Sequence, residues 1–332
     1  MNAPRTRVQR RPVHGVLLLD KPLGLSSNDA LQKVKWLLRA EKAGHTGTLD
    51  PLASGVLPLC FGAATKFSQL QLEAPKTYTA IARLGQTTTT ADAEGAVLRE
   101  RPVDLVSITP ERLAAVQAQF TGDIQQVPPM YSALKKDGKA LYEYARAGVE
   151  IERPARAVTI HALKLALTQD EDEDGQPAIE MVVTCSKGTY IRTLAEDVGE
   201  ALGCGAHLRA LRRTDTGGID LARCVTLQAL IDMPEAERMQ HVLPADTLLH
   251  AHVPVTLGEQ DAGRFLSGLR RRGDWPDASA VAVYGDQPRA LLGVGHVTSG
   301  ELIPDRLLSP LEIQQILEGT PLHTERGSLE TL

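Results

Sequence analysis

The chain has 332 residues, 42% of them hydrophobic and 23% charged, which suits about two domains with a sizeable core and excludes a disordered acidic chain. No apolar run approaches the roughly 20 residues that cross a bilayer, and Gly15 to Leu19 is too short for a signal-peptide core of about 7–15 residues; a cytoplasmic location is expected. The net charge of −5 is uneven. Residues 170–174 are five carboxylates in a row, whereas residues 1–70 carry ten Lys/Arg against four Asp/Glu, so a polyanion partner stays open.

In chain order, residues 1–12 read as a loose basic arm and Gly15 to Leu19 as a strand. A helix is predicted over 26–43, capped by Ser26 or Ser27, with Ala30, Leu31, Val34, Leu37 and Leu38 on its apolar face and Gly44 ending it. Residues 44–58, dense in Gly, Pro, Ser and Thr, read as a loop. A strand is predicted at 78–84, and Thr109-Pro110-Glu111 starts a helix that continues through Leu113, Val116 and Phe120. Residues 128–148 have a Pro-rich start, a basic turn and an amphipathic tail, and read as a projecting, mobile element. Residues 158–168 and 179–185 form a predicted hairpin closed by the acidic turn at 170–174, and 189–202 a helix. After a break near 244–254 come a strand at VPVTL, a short helix around Arg264–Leu269, and strands at 280–284 and 290–297. The absence of regular βαβ alternation favours α+β.

The four cysteines, Cys60, Cys185, Cys204 and Cys224, are scattered without CxxC or Cys/His ligand spacing; neither a disulfide framework nor a metal site is expected.

Several segments could carry chemistry. In GHTGTLDPLASG (44–55), Asp50 stands in uncharged surroundings. It is either a carboxylate poised to attack a sugar carbon or an Asp-Pro turn residue. Tyr78 heads a strand; it could stack on a base and move a proton, or simply fill the core. In SKGTYIRT (186–193), Tyr190 and Arg192 lie at a strand–helix junction. They either point into a pocket, where Arg192 would keep a carboxylate ionised, or begin the helix and decorate its surface. Arg209, Arg212 and Arg213 form a basic cluster near His207. Lys135, Lys136 and Lys139 interleave with Tyr131, Tyr142 and Tyr144, a pattern suited to RNA phosphates and unstacked bases. Arg270–Arg272 is a further basic triplet.

Together these segments resemble the TruB family of tRNA pseudouridine synthases. The matching runs are LDKPLGLSSNDAL (19–31), GHTGTLDPLASGVLPLCFGAATKFSQ (44–69), KTYTAIARLGQTTTTAD (76–92), PPMYSALKKDGKALYEYARAG (128–148), CSKGTYIRTLAEDVGEALGCGAHLRALRRT (185–214) and LIPDRLL (302–308). Their order and spacing cover nearly the whole chain. The resemblance implies a pseudouridine-synthase-like α+β catalytic domain over 10–248, its mixed and largely antiparallel sheet flanked by helices. A small β-rich PUA-like RNA-binding domain over 250–320 follows, and 128–148 is the element that clamps RNA. The implied reaction isomerises the T-loop uridine at tRNA position 55. The base leaves C1′, turns and rejoins through C5, with no metal and no organic cofactor.

By position, Asp50 matches the catalytic Asp, adding to C1′ or taking the C2′ proton to give a glycal. Tyr78 matches the Tyr that stacks on the base, Arg192 the Arg that pairs with the Asp, and Tyr190 a Tyr that helps remove the C5 proton. Leu211 matches an apolar wall of the uracil pocket, and His45 a residue that holds the base flipped out; Lys21 and Lys66 are expected near the site. The partner is the T arm of tRNA, with the uridine flipped out of its stack. No membrane and no obligate protein partner are expected, and the chain should be a monomer. The 170–174 turn should face away from RNA, and Arg270–Arg272 is a candidate contact to the acceptor arm. A non-catalytic RNA-binding or tRNA-folding factor would keep the basic patches without needing Asp50. A sugar hydrolase lacks a second carboxylate in the adjacent motifs.

Overall fold

The computed structural model describes residues 9–168 and 175–319; the acidic run 170–174 lies outside them. The main sheet follows the order Val225–Thr226, Gly15–Lys21, Ala53–Phe61, Ala206–Thr216, Lys76–Leu84, Ala178–Cys185, Arg156–Leu167, Gly122–Gln126, with three short strands joining off this path. Ala53–Phe61 runs parallel to Ala206–Thr216, and Val225–Thr226 parallel to Gly15–Lys21; the other pairings along the path are antiparallel. The sheet is therefore mixed and largely antiparallel, as expected. A separate five-stranded sheet (Val253–Leu257, Ala278–Gly285, Ala290–Thr298, Glu301–Leu307, Arg271–Arg272) carries the helices Glu259–Leu266 and Pro310–Gly319. No helix among the described residues is long and apolar enough to cross a membrane.

Local chemistry explains the elements that the site needs. In the helix Ser27–Leu37, the Ser26 hydroxyl accepts from the Asp29 amide at 3.1 Å, and Ala30, Leu31, Val34 and Leu37 are buried. This helix ends well before the expected residue 43, because Arg39 takes a left-handed backbone (φ +52°) and Ala43–His45 pairs with Leu59–Phe61 instead. The expected loose arm is tied down from residue 10: the Arg10 guanidinium donates to the Ala40 carbonyl and the Arg11 amide to the Arg39 carbonyl. The helix expected around 264–269 instead spans Glu259–Leu266, with Glu259 and Asp261 in its first turn and Gly268 left-handed just beyond its end.

The largest departure from expectation is residues 53–58. They are not loop but the first two thirds of a central strand whose nine residues are all buried. Such a strand reads as a continuous apolar run rather than as alternation. Two turn-like residues hide it. Gly55 (φ +106°) lets the backbone pass so close to Arg213 that a Cβ would sit 2.1 Å from the Arg213 carbonyl oxygen. Pro58 falls where one neighbouring ladder has ended, at Gly55, and the next has not begun, at Leu59. On that side its missing N–H costs no bond.

The strands Arg156–Leu167 and Ala178–Cys185 pair antiparallel, Leu163 opposite Val183, as predicted. Within 128–148, Lys135–Lys136 pairs with Lys139–Ala140 across the left-handed Asp137-Gly138 turn, and the helix Leu141–Arg146 follows. One apolar cluster joins the two sheets: Val16, Leu18 and Phe67 pack with Ala282, Val294 and Leu308.

Candidate active site

A cleft of about 420 Å³ opens over the main sheet and collects segments far apart in sequence, including Gly47–Asp50, Lys76, Tyr78, Ser132, Lys187–Arg192, Leu211 and Arg213. The loop bearing Asp50 is pinned from below. The Ser27 hydroxyl accepts from the Leu49 amide at 2.7 Å and donates to its carbonyl at 3.1 Å; the Asp50 carbonyl accepts from Ala53 and the Pro51 carbonyl from Gly24. The first turn of a helix thus fixes where the carboxylate stands.

Asp50, its side chain 43% exposed, pairs through Oδ2 with Nη2 of Arg192 at 2.9 Å. The Arg192 side chain is only 7% exposed, and a buried guanidinium must be surrounded by acceptors. Its Nη2 also donates to the Tyr131 carbonyl at 2.7 Å, and its Nη1 donates to the Thr90 carbonyl at 3.2 Å and to Oδ2 of Asp92 at 3.3 Å. Asp92 is itself held: Oδ1 accepts from the Thr90 hydroxyl at 2.5 Å and the Glu94 amide at 3.1 Å. Arg192 therefore bridges one partly exposed carboxylate and one buried carboxylate.

Tyr78, on the strand Lys76–Leu84, is buried in the cleft wall. Burial pushes its phenol up, and the Arg213 guanidinium hydrogen-bonded to it pulls the other way. Tyr190 immediately precedes the helix Ile191–Ala201. Its backbone is clasped by Gln126, whose Oε1 accepts from the Tyr190 amide at 3.0 Å and whose Nε2 donates to the Tyr190 carbonyl at 3.3 Å. Burial also raises the Tyr190 phenol, so both tyrosines are neutral at pH 7. Leu211 lines the cleft from the strand Ala206–Thr216.

Asp50, Tyr78, Tyr190, Arg192 and Leu211 are thus brought together. Lys21 is fully buried behind them, donating to the carbonyls of Pro22 at 2.9 Å and Leu25 at 2.5 Å. Burial lowers its ammonium to about 8, against the pull of Asp50 and with the push of Arg213. His45 does not line the cleft. Burial, and then Arg213, lower its imidazole pKa, and its Nδ1 is buried without a hydrogen-bond partner among the described residues. Lys66 is placed elsewhere: its ammonium bonds the Leu307 carbonyl at 3.0 Å and Glu312 at 2.5 Å, on the seam between the two sheets.

Sequence reasoning missed three charged residues here. Asp92 closed a quoted run, but its partner is 100 residues away. Lys76 is buried, its ammonium donating to the carbonyls of Gln71, Leu72 and Ala74. Arg213, grouped above with Arg209 and Arg212 in a basic cluster, is 1% exposed; its Nε donates to the Val56 carbonyl at 2.7 Å. The period of two in a strand, which puts Arg213 on the face of Leu211, was the available signal. Arg212 instead pairs with Asp20, so the cluster is not one patch.

The interleaved cations and rings of 128–148 meet one another: Lys139 lies 4.7 Å from the Tyr144 ring and Arg146 5.2 Å from Tyr142. In the triplet, Arg270 and Arg272 pair with Glu301, and Arg271 with Asp261.

Residues 35–191 match the sequence model of the TruB family pseudouridylate synthase N-terminal domain, and residues 192–250 that of the tRNA pseudouridylate synthase B C-terminal domain. The tRNA pseudouridine synthase B of Verminephrobacter eiseniae is 69% identical over 328 residues, covering 99% of this chain and 98% of that one. That of Cupriavidus metallidurans is 58% identical over 311 residues, covering 91% and 96%. Among solved structures, a Cbf5-Nop10-Gar1 complex contains a chain that matches with a TM-score of 0.63 at 26% identity, covering 92% of this chain and 82% of that one. The chain belongs to the TruB family of pseudouridylate synthases, isomerases that make pseudouridine in tRNA.

Proposed function

We propose that this cleft isomerises the T-loop uridine at tRNA position 55, with Asp50 as the nucleophile. The observation that carries the reading is the Asp50–Arg192 pair at the cleft: a partly exposed carboxylate positioned at 2.9 Å by a buried guanidinium whose other side bonds Asp92. Pairing through Oδ2 leaves Oδ1 of Asp50 for the ribose.

A stacked uridine is out of reach, so the base must first leave the T loop, at a few kcal/mol offset by new contacts. Tyr78 and Leu211 offer a ring face and an apolar wall to receive it. The N1–C1′ bond then breaks as Asp50 bonds to C1′, the base turns, and C5 displaces the carboxylate as the C5–C1′ bond forms, returning Asp50 free. The C5 proton leaves and N1 gains one, so the isomerisation balances without a metal or other cofactor. Tyr190, a neutral phenol, is the group proposed to pass the C5 proton on. His45 is assigned to holding the flipped base. Lys21 acts through its field on Asp50. Lys66 is left out of the substrate set, because its ammonium is engaged at the seam.

The assignment extends to the modules. Residues 10–248 form the catalytic domain, and 128–148, with exposed Lys135, Lys136 and Lys139, clamps the RNA. Residues 250–320 form a small PUA-like RNA-binding domain. The protein acts as a cytoplasmic monomer without an obligate protein partner.

The test is tritium release from T-arm RNA labelled at C5 of its uridines. Wild type should release it; Asp50→Asn should release none while still binding the RNA. Turnover by Asp50→Asn would remove Asp50 from the nucleophile role, and wild-type release that survives replacing uridine 55 by cytidine would remove the position assignment.

A further inference from the structure

Among the hydroxyls of the cleft that the mechanism above does not use, that of Ser132 is the buried one. Ser132 is 5% exposed and lines the cleft with Asp50, Tyr78 and Tyr190. Its Oγ is buried and has no hydrogen-bond partner among the described residues. Native proteins rarely leave a buried hydroxyl unpaired, so the missing partner needs identifying.

The residue is not loosely held. The preceding carbonyl, of Tyr131, is bound by Arg192, and the carbonyl of Ser132 itself accepts from the Tyr142 amide at 3.1 Å. The backbone is thus fastened on both sides of the side chain. The Tyr190 hydroxyl is its polar neighbour. Ser132 draws the Tyr190 phenol down against the rise from burial.

We propose that Ser132 is a substrate-contacting residue whose hydroxyl donates to a carbonyl of the uracil ring in the cleft, tying the base to the root of the 128–148 element. The inference rests on the cleft being the uridine site. Uracil suits the role, because it presents two carbonyl acceptors on its ring and the Ser132 hydroxyl has a proton to give. The contact also has a mechanical meaning. Tyr131, the residue before Ser132, is where this element joins Arg192, so a bound base stiffens the clamp at its root.

The experiment uses the full chain carrying Asp50→Asn, which prevents turnover, and two T-arm RNAs. One carries uridine at the target position and the other is abasic there. Adding Ser132→Ala should weaken binding of the uridine RNA by about 3–10-fold, the range for one neutral hydrogen bond, and leave the abasic RNA within about 2-fold. Ser132→Cys, which keeps the size but donates weakly, should behave like Ser132→Ala. Equal losses on both RNAs would assign Ser132 to loop packing and overturn the proposal, as would no loss on either. The otherwise wild-type chain, run in parallel for tritium release, separates the two readings. No release there defeats the uridine-site reading itself. Release with no discrimination by the Ser132 variants defeats only the present inference.

Discussion

Asp92→Ala tests the electrostatic logic of the site most directly. Asp92 is 4% exposed at its side chain and accepts from Arg192, Thr90 and the Glu94 amide. Removing it leaves Nη1 of Arg192 with only the Thr90 carbonyl, in a place water barely reaches. Breaking a buried ion pair from one side costs about 3–5 kcal/mol. Here Arg192 keeps Asp50, which is partly in solvent, so the lower end applies: about 3 kcal/mol, or roughly 4 °C in Tm for a chain of this size. The kinetic effect follows from geometry. A guanidinium freed on one side swings toward Asp50 and shifts the carboxylate, and a displacement of order 1 Å costs about 100-fold. Initial rates of tritium release should show kcat down by about 10–100-fold with KM little changed, and thermal melting should show the stability loss. Asp92→Asn keeps the shape and an acceptor, and should fall between. An Asp92→Ala enzyme with kcat within 2-fold of wild type and an unmoved Tm would refute the idea that Arg192 needs this second carboxylate.

Three further outcomes are expected. Above about pH 8 the folded state has released the Lys21 proton that the unfolded chain keeps up to its ordinary 10.5. The unfolded state then binds more protons, and this residue's contribution to stability rises with pH from about 8 to 10.5 and is flat below. Urea titrations of wild type and Lys21→Met across pH 7–10.5 should diverge in wild type's favour, and parallel curves would contradict it. Gly55→Ala adds a Cβ 2.1 Å from the Arg213 carbonyl oxygen at φ +106°, so it should cost roughly 3 kcal/mol or more and abolish turnover. A soluble variant with wild-type melting would mean that the two strands do not approach as described. Amide exchange across 128–148 should slow when T-arm RNA is added, if this element closes on it. Equal protection in both states would exclude a clamp.

Elements with a strong local signature were legible in the sequence. The strand Lys76–Leu84 alternates buried and half-buried residues along its length, and the helix after Ser26 carries its cap and its apolar face in adjacent letters. Ala53–Phe61 was not legible, because Gly55 and Pro58 mimic a turn. Only the neighbouring ladders explain why a strand tolerates them. The site divides the same way. Residue types alone left Asp50, Tyr78 and Arg192 ambiguous, and it was the family resemblance that singled them out. Asp92, Lys76 and Arg213 act through partners set by tertiary packing, so a lone Asp after four threonines or the second Arg of a pair carries no local mark. Lys66 shows the converse: its run matched, yet its ammonium is engaged at the seam.

The order of strands in the main sheet constrains how the chain comes into being. Ala206–Thr216 lies between Ala53–Phe61 and Lys76–Leu84, so two segments made early are separated by one made late. At roughly 5–20 residues per second, the ribosome finishes the later strand about 7–26 s after Leu84. Until then the apolar edges of both early strands stay open, and Arg213, which braces the loop before Asp50 through the Gly47 carbonyl, does not yet exist. A nascent chain stalled before residue 206 has Asp50, Tyr78, Tyr190 and Arg192 but not the strand that joins the two halves of the sheet. It is an aggregation-prone intermediate rather than a partial enzyme, and a chaperone would find its binding site on those two open edges.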